Sequence, residues 1–157
     1  MICVSWGDID GMIDVLVPVL SQQRFDVIVG ISRSGLVPAV MLSHSLGIRQ
    51  FAVLDIRRTE SDRIDAAKHA PMFAGAFNEG SLRNSRVLLV DDIMGEGATM
   101  AAAKAYVAAS CASLTTVALV VNLGNCRVDP SSILDLFACA VHDWVVFPWE
   151  GKHDVGD

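Results

Sequence analysis

Apolar residues come along this chain in short bursts between polar turns, and the spacing inside each burst predicts what it folds into. Phe25 to Ile31 reads Phe-Asp-Val-Ile-Val-Gly-Ile, with the length and β-branched content of a strand covered on both faces. Gln50 to Ile56, Val87 to Val90 and Thr115 to Asn122 share that character, and short strands are predicted near 136–141 and 144–147. Helical patterns lie between them. Ser5 with Asp8 three residues later reads as an N-cap followed by an acidic first turn, so a first helix starts near Trp6, with Pro18 placed to kink or end it. Leu36 to Leu46 has Pro38 in its first turn and Gly47 just past its end, and alanine-rich 99–109 is the third helix. Strands alternating with helices predict an α/β domain built on a right-handed parallel sheet. Residues 57–86 break the pattern, being polar, interrupted by Gly75 and Gly80, and without sustained period. So long an irregular segment inside a small domain reads as a functional or mobile lid.

Composition narrows the class. A chain of 157 residues fits one domain, 1–157, able to bury about 70% of its unfolded surface. Its 52% hydrophobic content and mean hydropathy of +0.45 are high, favouring a deeply buried sheet and a subunit interface, so a homo-oligomer (dimer or tetramer) is expected. A net charge of −6 without a basic block argues against nucleic acid or an anionic membrane as partner. The first residues show no basic-then-apolar leader. The most apolar window, 101–121, carries Lys104, Ser110, Ser113, Thr115 and Thr116, and reads as helix, turn and strand rather than a membrane span. Cys3, Cys111, Cys126 and Cys139 are scattered without C-x-x-C spacing, and His44, His69, His142 and His153 show no ligand spacing. Reduced thiols in a cytoplasmic protein are the expectation.

The chemistry is concentrated in Val87 to Thr99, Val-Leu-Leu-Val-Asp-Asp-Ile-Met-Gly-Glu-Gly-Ala-Thr. A buried strand ends in two adjacent carboxylates, a glycine-containing turn follows, and a helix opens. Backbone N–H groups at such a helix start suit a phosphate, and the carboxylates suit Mg²⁺ or sugar hydroxyls. One ligand satisfies both halves: a sugar phosphate bound with magnesium. The turn Ser32-Arg33-Ser34-Gly35 also joins a strand to a helix and offers a second anion site at the same sheet edge, where a guanidinium can grip phosphate in bidentate fashion. Neither a P-loop nor a Gly-x-Gly-x-x-Gly fingerprint occurs.

Residues 87–99 resemble the phosphoribosyl-pyrophosphate (PRPP) motif of the type I phosphoribosyltransferases, an apolar strand, two acids and a loop of the form Asp-Thr-Gly-x-Thr. The strand, Asp91, Asp92, Gly97 and Thr99 match; Gly95 and Glu96 stand where the family has aspartate and threonine. The resemblance implies that Asp91 and Asp92 meet the ribose hydroxyls of PRPP, directly or through Mg²⁺, and that Gly95, Glu96, Gly97, Ala98 and Thr99 cradle the 5-phosphate. Val29 to Leu46 resembles the pyrophosphate loop of xanthine-guanine and hypoxanthine phosphoribosyltransferases, Ser-Arg-Gly-Gly-Leu-Val-Pro. Arg33 and Gly35 match there and Ser34 replaces a glycine, which makes Arg33, Ser34 and Gly35 PRPP-binding candidates. Asp143 to Glu150 resembles the signature of small microbial purine phosphoribosyltransferases, whose first tryptophan stacks on the purine while the next residue's backbone meets the ring edge. Trp144 and Val145 hold those positions. Asn122 lies closest to the family's lysine that reads the purine's exocyclic oxygen; an amide both donates and accepts, which implies a base other than guanine or xanthine.

The implied fold is a single-domain, parallel-sheet type I phosphoribosyltransferase with a small C-terminal hood at about 123–150 and a lid at about 57–86. Arg57, Arg58, Arg63 and Lys68 are the lid's candidate pyrophosphate contacts, on position alone. The implied reaction transfers the 5-phosphoribosyl group of PRPP to a nucleobase, expected to be a purine, releasing pyrophosphate in nucleotide salvage, with Mg²⁺ as cofactor. Glu96 joins Asp91 and Asp92 as a catalytic candidate, because Gly95 cannot handle the purine proton that the family's aspartate manages. Turned inward, Glu96 would repel the 5-phosphate by roughly a few kcal/mol; turned outward, it leaves the cradle open. The alternative reading is a catalytically degenerate regulatory protein of the same fold that binds PRPP or a nucleotide, favoured by Gly95, Glu96 and Asn122.

Overall fold

The runs of valine, isoleucine and leucine assemble into a six-stranded sheet in the computed structural model, which describes residues 1–58 and 67–151. Its strands are β2 (Val27–Ser32), β3 (Gln50–Arg57), β4 (Met72–Phe77), β5 (Arg86–Met94), β6 (Ser113–Asn122) and β7 (Leu136–Val141). They lie in the order β4-β3-β2-β5-β6-β7, all parallel except β4, which runs antiparallel along β3 at one edge. The helices are α1 (Trp6–Leu20), α2 (Leu36–Leu46) and α3 (Ala98–Ala108). Two short strands, β1 (Ile2–Cys3) and β8 (Val145–Val146), pair in parallel as a separate small sheet.

Alternation along the central strand β5 divides the core. Val87 and Leu89 face α3 and pack with its Met100, Ala103 and Val107. Leu88 and Val90 face the other way, against Ile9, Ile13 and Leu16 of α1 and Leu42 of α2. These side chains are all buried, each contributing about 1.5–3 kcal/mol relative to exposure for the larger ones. The sheet is therefore covered on both faces, which is why its strands read as continuous apolar runs.

Several boundaries differ from the sequence reading for visible reasons. The strand expected over 87–90 continues to Met94, because β6 keeps pairing alongside it through Asp91↔Ala118, Ile93↔Val120 and Met94↔Val121. Pro18 does not end α1 at its own position but sits in its final turn, and the helix closes at Leu20. α2 spans the expected residues and stops on Gly47, whose φ of 68° is the left-handed value that favours glycine. Within 57–86, β4 and a 3-10 turn at Glu79–Leu82 form ordered structure that periodicity missed. Every residue of β4 is exposed, so nothing imposes an alternating pattern on Met-Phe-Ala-Gly-Ala-Phe. Of residues 123–150, Leu136–Val141 join the main sheet and Val145–Val146 the small one. Arg63 and His153 lie outside the described residues. Among those residues, no helix is long and apolar enough to cross a membrane.

Candidate active site

The carboxyl ends of β2 and β5, neighbours at the centre of the sheet, both run into turns that open helices. Asp91 and Asp92 lie in the second half of β5, and strand alternation points them to opposite faces. Asp91 is partly buried and lines a cleft of about 180 Å³ with residues 95–99, Arg58 and Lys68. Asp92 is 7% exposed on the side of the small sheet. Their local hydrogen bonds are complementary: the Asp92 N–H donates to Asp91 Oδ1 at 2.9 Å, and the Ile93 N–H to Asp92 Oδ1 at 2.8 Å. Burial, and then the charge of Asp92, push the Asp91 carboxyl well above the ordinary carboxylate range. Asp92 is pushed up to about 6, again by burial, with the nearby Glu150 charge adding to it. Two crowded, desolvated carboxylates favour the arrival of positive charge.

The two turns are built by glycines at close quarters. A Cβ on Gly35 would lie 2.5 Å from the Ile31 carbonyl oxygen and 2.8 Å from Asp91 Oδ1, so this turn approaches Asp91 as only a glycine permits. Within the same turn, the Ser32–Arg33 peptide is cis. Gly97 has φ +89°, and a Cβ there would meet Ile133 Cδ1 at 2.6 Å. Gly35 is the N-cap of α2 and Gly97 that of α3, and neither receives a side-chain cap. At α2 the Arg33 and Ser34 carbonyls accept the Leu36 and Val37 N–H groups at 3.1 and 3.3 Å, whereas the first N–H groups of α3 are left for another acceptor. Gly95 is different: a Cβ there would find ordinary contact with Asn125 at 3.6 Å, so the backbone does not demand a glycine.

Glu96 points away from its own loop. Its carboxylate Oε2 accepts from Arg58 Nη1 at 2.9 Å, while Arg58 Nε donates to the His69 carbonyl at 3.0 Å. The Arg58 hydrogen bond, then the charges of Lys68 and Arg127, hold the Glu96 carboxyl below its usual range. Arg57 turns elsewhere and grips Asp55 through Nε at 3.3 Å and Nη2 at 2.8 Å.

The C-terminal turn is pinned by backbone contacts. Asn122, 6% exposed, donates from Nδ2 to the Asp143 carbonyl at 3.1 Å and accepts the Gly124 N–H on Oδ1 at 3.0 Å. Gly124 lies so close to His142 that a Cβ would sit 2.7 Å from its carbonyl oxygen. The Asp143 carboxylate caps the Trp144 N–H at 2.7 Å and pairs with the Met1 ammonium. Trp144 is 37% exposed, whereas Phe147 and Trp149 stack on each other with centroids 4.6 Å apart, and Trp6 packs on Trp149. The Trp144 and Val146 carbonyls accept from Ile2 and Val4 of the N-terminal segment, so alternation turns the Val145 N–H and C=O to the opposite side.

The family model for the phosphoribosyl transferase domain matches residues 10–155. The chain belongs to the phosphoribosyltransferase family. No curated protein matches it in sequence. Among solved structures, the purine phosphoribosyltransferase from Pyrococcus horikoshii Ot3 is 26% identical with a TM-score of 0.80, over 99% of this chain and 98% of that one. A hypothetical protein from Neisseria gonorrhoeae with bound ppGpp shares the fold at 18% identity and a TM-score of 0.76, covering 98% and 90% of the two chains. The Staphylococcus aureus hypoxanthine phosphoribosyltransferase does so at 17% and 0.69, covering 87% and 74%. The expected type I architecture, an α/β enzyme fold with a mostly parallel sheet, is what the phosphoribosyltransferase chain adopts.

This phosphoribosyltransferase brings Asp91, Gly35 and residues 95–99 to one place, with Arg33 exposed and Ser34 half-buried in the adjoining turn. Thr99 is the second residue of α3, after Ala98. Asn122, expected to read the base, has one donor and its oxygen committed to backbone groups. Spacing gave no sign of the Arg58–Glu96 pair, 38 positions apart, nor of Arg127 and Glu150 beside the site. Among the described residues no group of three His, Cys, Asp or Glu side chains is arranged to hold a metal ion. Mg²⁺ does not need one, since it is commonly held by one or two carboxylates with substrate oxygens completing its shell, and Asp91 is the cleft carboxylate that would serve.

Proposed function

We propose that this phosphoribosyltransferase transfers the 5-phosphoribosyl group of PRPP to a purine base and releases pyrophosphate. The observation that carries the reading is the position of Asp91, between the Gly35 turn and the uncapped start of α3. The α3 amides of the Gly95–Thr99 loop receive the 5-phosphate, and the Ser32–Gly35 turn with Arg33 receives the pyrophosphate. Asp91 faces the ribose with Asp92 buried behind it, and their charge stabilises the cationic character that develops at the sugar as the leaving group departs. Mg²⁺, held by Asp91 and the substrate, neutralises pyrophosphate oxygens. Trp144 offers an open indole face on which the base stacks, worth about 1–3 kcal/mol, and the free edge of Val145 meets the ring. Asn122 acts by fixing the turn that carries Trp144. The protein works in the cytoplasm as a homo-oligomer.

A second reading, a nucleotide-binding regulator of the same fold, is favoured by Glu96 and Gly95 in the phosphate loop. The ppGpp-bound Neisseria neighbour shows the fold in such a complex. One experiment separates the two. A panel of nucleobases with PRPP and Mg²⁺, followed by pyrophosphate release, should show turnover with at least one purine. Inertness towards the whole panel, together with tight binding of a guanine nucleotide, would establish the regulator instead.

A further inference from the structure

The cleft beside Asp91 is basic at its other wall, although the chain as a whole carries a net charge of −6. Arg58 and Lys68 line it, and the charge of Arg127 also acts on Glu96, the acid all three share. Arg58 is not a loose surface arginine. Its side chain is 19% exposed, and the Nε bond to the His69 carbonyl fixes the plane of the guanidinium. One edge of that fork, Nη1, meets Glu96. Glu96 in turn is the residue of the phosphate loop that leaves its own loop amides open and reaches across to a cation.

We propose that Arg58 is a phosphate-recognition residue of this site and that Glu96 is its built-in competitor, its carboxylate holding the guanidinium where a ligand phosphate oxygen binds. The inference rests on the transferase or nucleotide-binding reading of the cleft, but on neither turnover nor the identity of the base. A fixed guanidinium presents paired donors that suit a phosphate better than a single carboxylate oxygen. A phosphate dianion also brings more charge to Arg58 and Lys68 than the carboxylate it displaces. Simple monoanions lack that advantage and must compete with a tethered acid, so the pair selects for phosphate esters by raising the threshold for binding. Displacement costs part of the ligand's binding energy, and removing the competitor returns it.

The test is calorimetric titration, without base, of PRPP, ribose 5-phosphate and inorganic pyrophosphate into the wild type, Glu96→Gln, Arg58→Gln and the double variant. Thermal melts check folding, with Arg58→Lys as a second variant that keeps the charge and loses the fork. Glu96→Gln should tighten PRPP about tenfold, and Arg58→Gln should weaken it by a similar factor. In the Arg58→Gln background the Glu96→Gln gain should vanish. Whichever of ribose 5-phosphate and pyrophosphate follows PRPP in this pattern identifies the phosphate that Arg58 meets. No tightening in Glu96→Gln, an equal gain with and without Arg58, or no binding to any of the proteins would overturn the proposal. If the pattern holds in a protein inert towards every nucleobase, the transferase reading fails and this one stands; turnover without the pattern reverses that.

Discussion

Helix α1 and helix α3 begin in opposite ways. At α1, Ser5 Oγ accepts the Asp8 N–H at 3.1 Å, and Asp8 Oδ2 accepts the Ser5 N–H at 2.8 Å. This capping box satisfies the helix start from within the chain. At α3 the N-cap is Gly97 and no side chain serves the first N–H groups; α2 lies between the two, its Gly35 cap bare but its Leu36 and Val37 N–H groups held by the Arg33 and Ser34 carbonyls. A helix that only packs closes its own terminus. Helix α3 keeps its terminus open beside Asp91, which the Gly35 turn also approaches closely.

The contrast breaks most sharply at Asp91, beside the open terminus of α3, and at its neighbour Asp92. Asp91→Asn with Asp92→Asn should lower the transfer rate by roughly a hundredfold or more in pyrophosphate-release assays, while the ligand-free fold gains stability. The sign follows from proton binding. With the folded-state pKa of Asp92 raised from 3.8 to about 6, the folded protein binds more protons than the unfolded chain between those values. Stability is therefore lost as pH rises through that window, with Asp91 acting in the same direction. The double variant should flatten this part of the Tm–pH profile; an unchanged profile would show that the pair is solvated.

Gly97→Ala is the next largest effect. The positive φ and the Ile133 contact should cost about 1–3 kcal/mol in denaturant melts, and PRPP affinity should fall with it because the α3 amides move. Ser5→Ala gives the smallest effect and the matched control. Loss of the cap should cost about 1 kcal/mol of stability with ligand affinity unchanged. A drop in affinity for Ser5→Ala comparable with that for Gly97→Ala would erase the distinction between packing and binding termini.

Much of this was legible in the sequence because it depends on local rules. The Ser5–Asp8 box, the Gly47 stop and the apolar strands each follow from residues within one turn or one strand. The acid pair and its loop were legible too, since strand, turn and helix start are consecutive. Contacts between distant segments were not. Glu96 reads as an intruder in the phosphate loop until the fold brings Arg58 across to it. Asn122 reads as a base contact until the Asp143 carbonyl and the Gly124 N–H are seen to hold its amide. The six exposed residues of β4 carry no pattern, because pattern records burial and that strand has none.

The pairing of β1 with β8 joins Ile2 to Val145 and Cys3 to Val146, and it is only two residues long. Closing so large a loop is entropically unfavourable, and so few hydrogen bonds offset little of that cost. Such a unit opens by local fluctuation well below the free energy of global unfolding. Backbone amides of Val4 and Val146 should therefore exchange with solvent deuterium much faster than those of Val87 to Val90. Trp144 immediately precedes β8, so its surroundings can open while the main sheet that holds Asp91 and Asp92 stays shut.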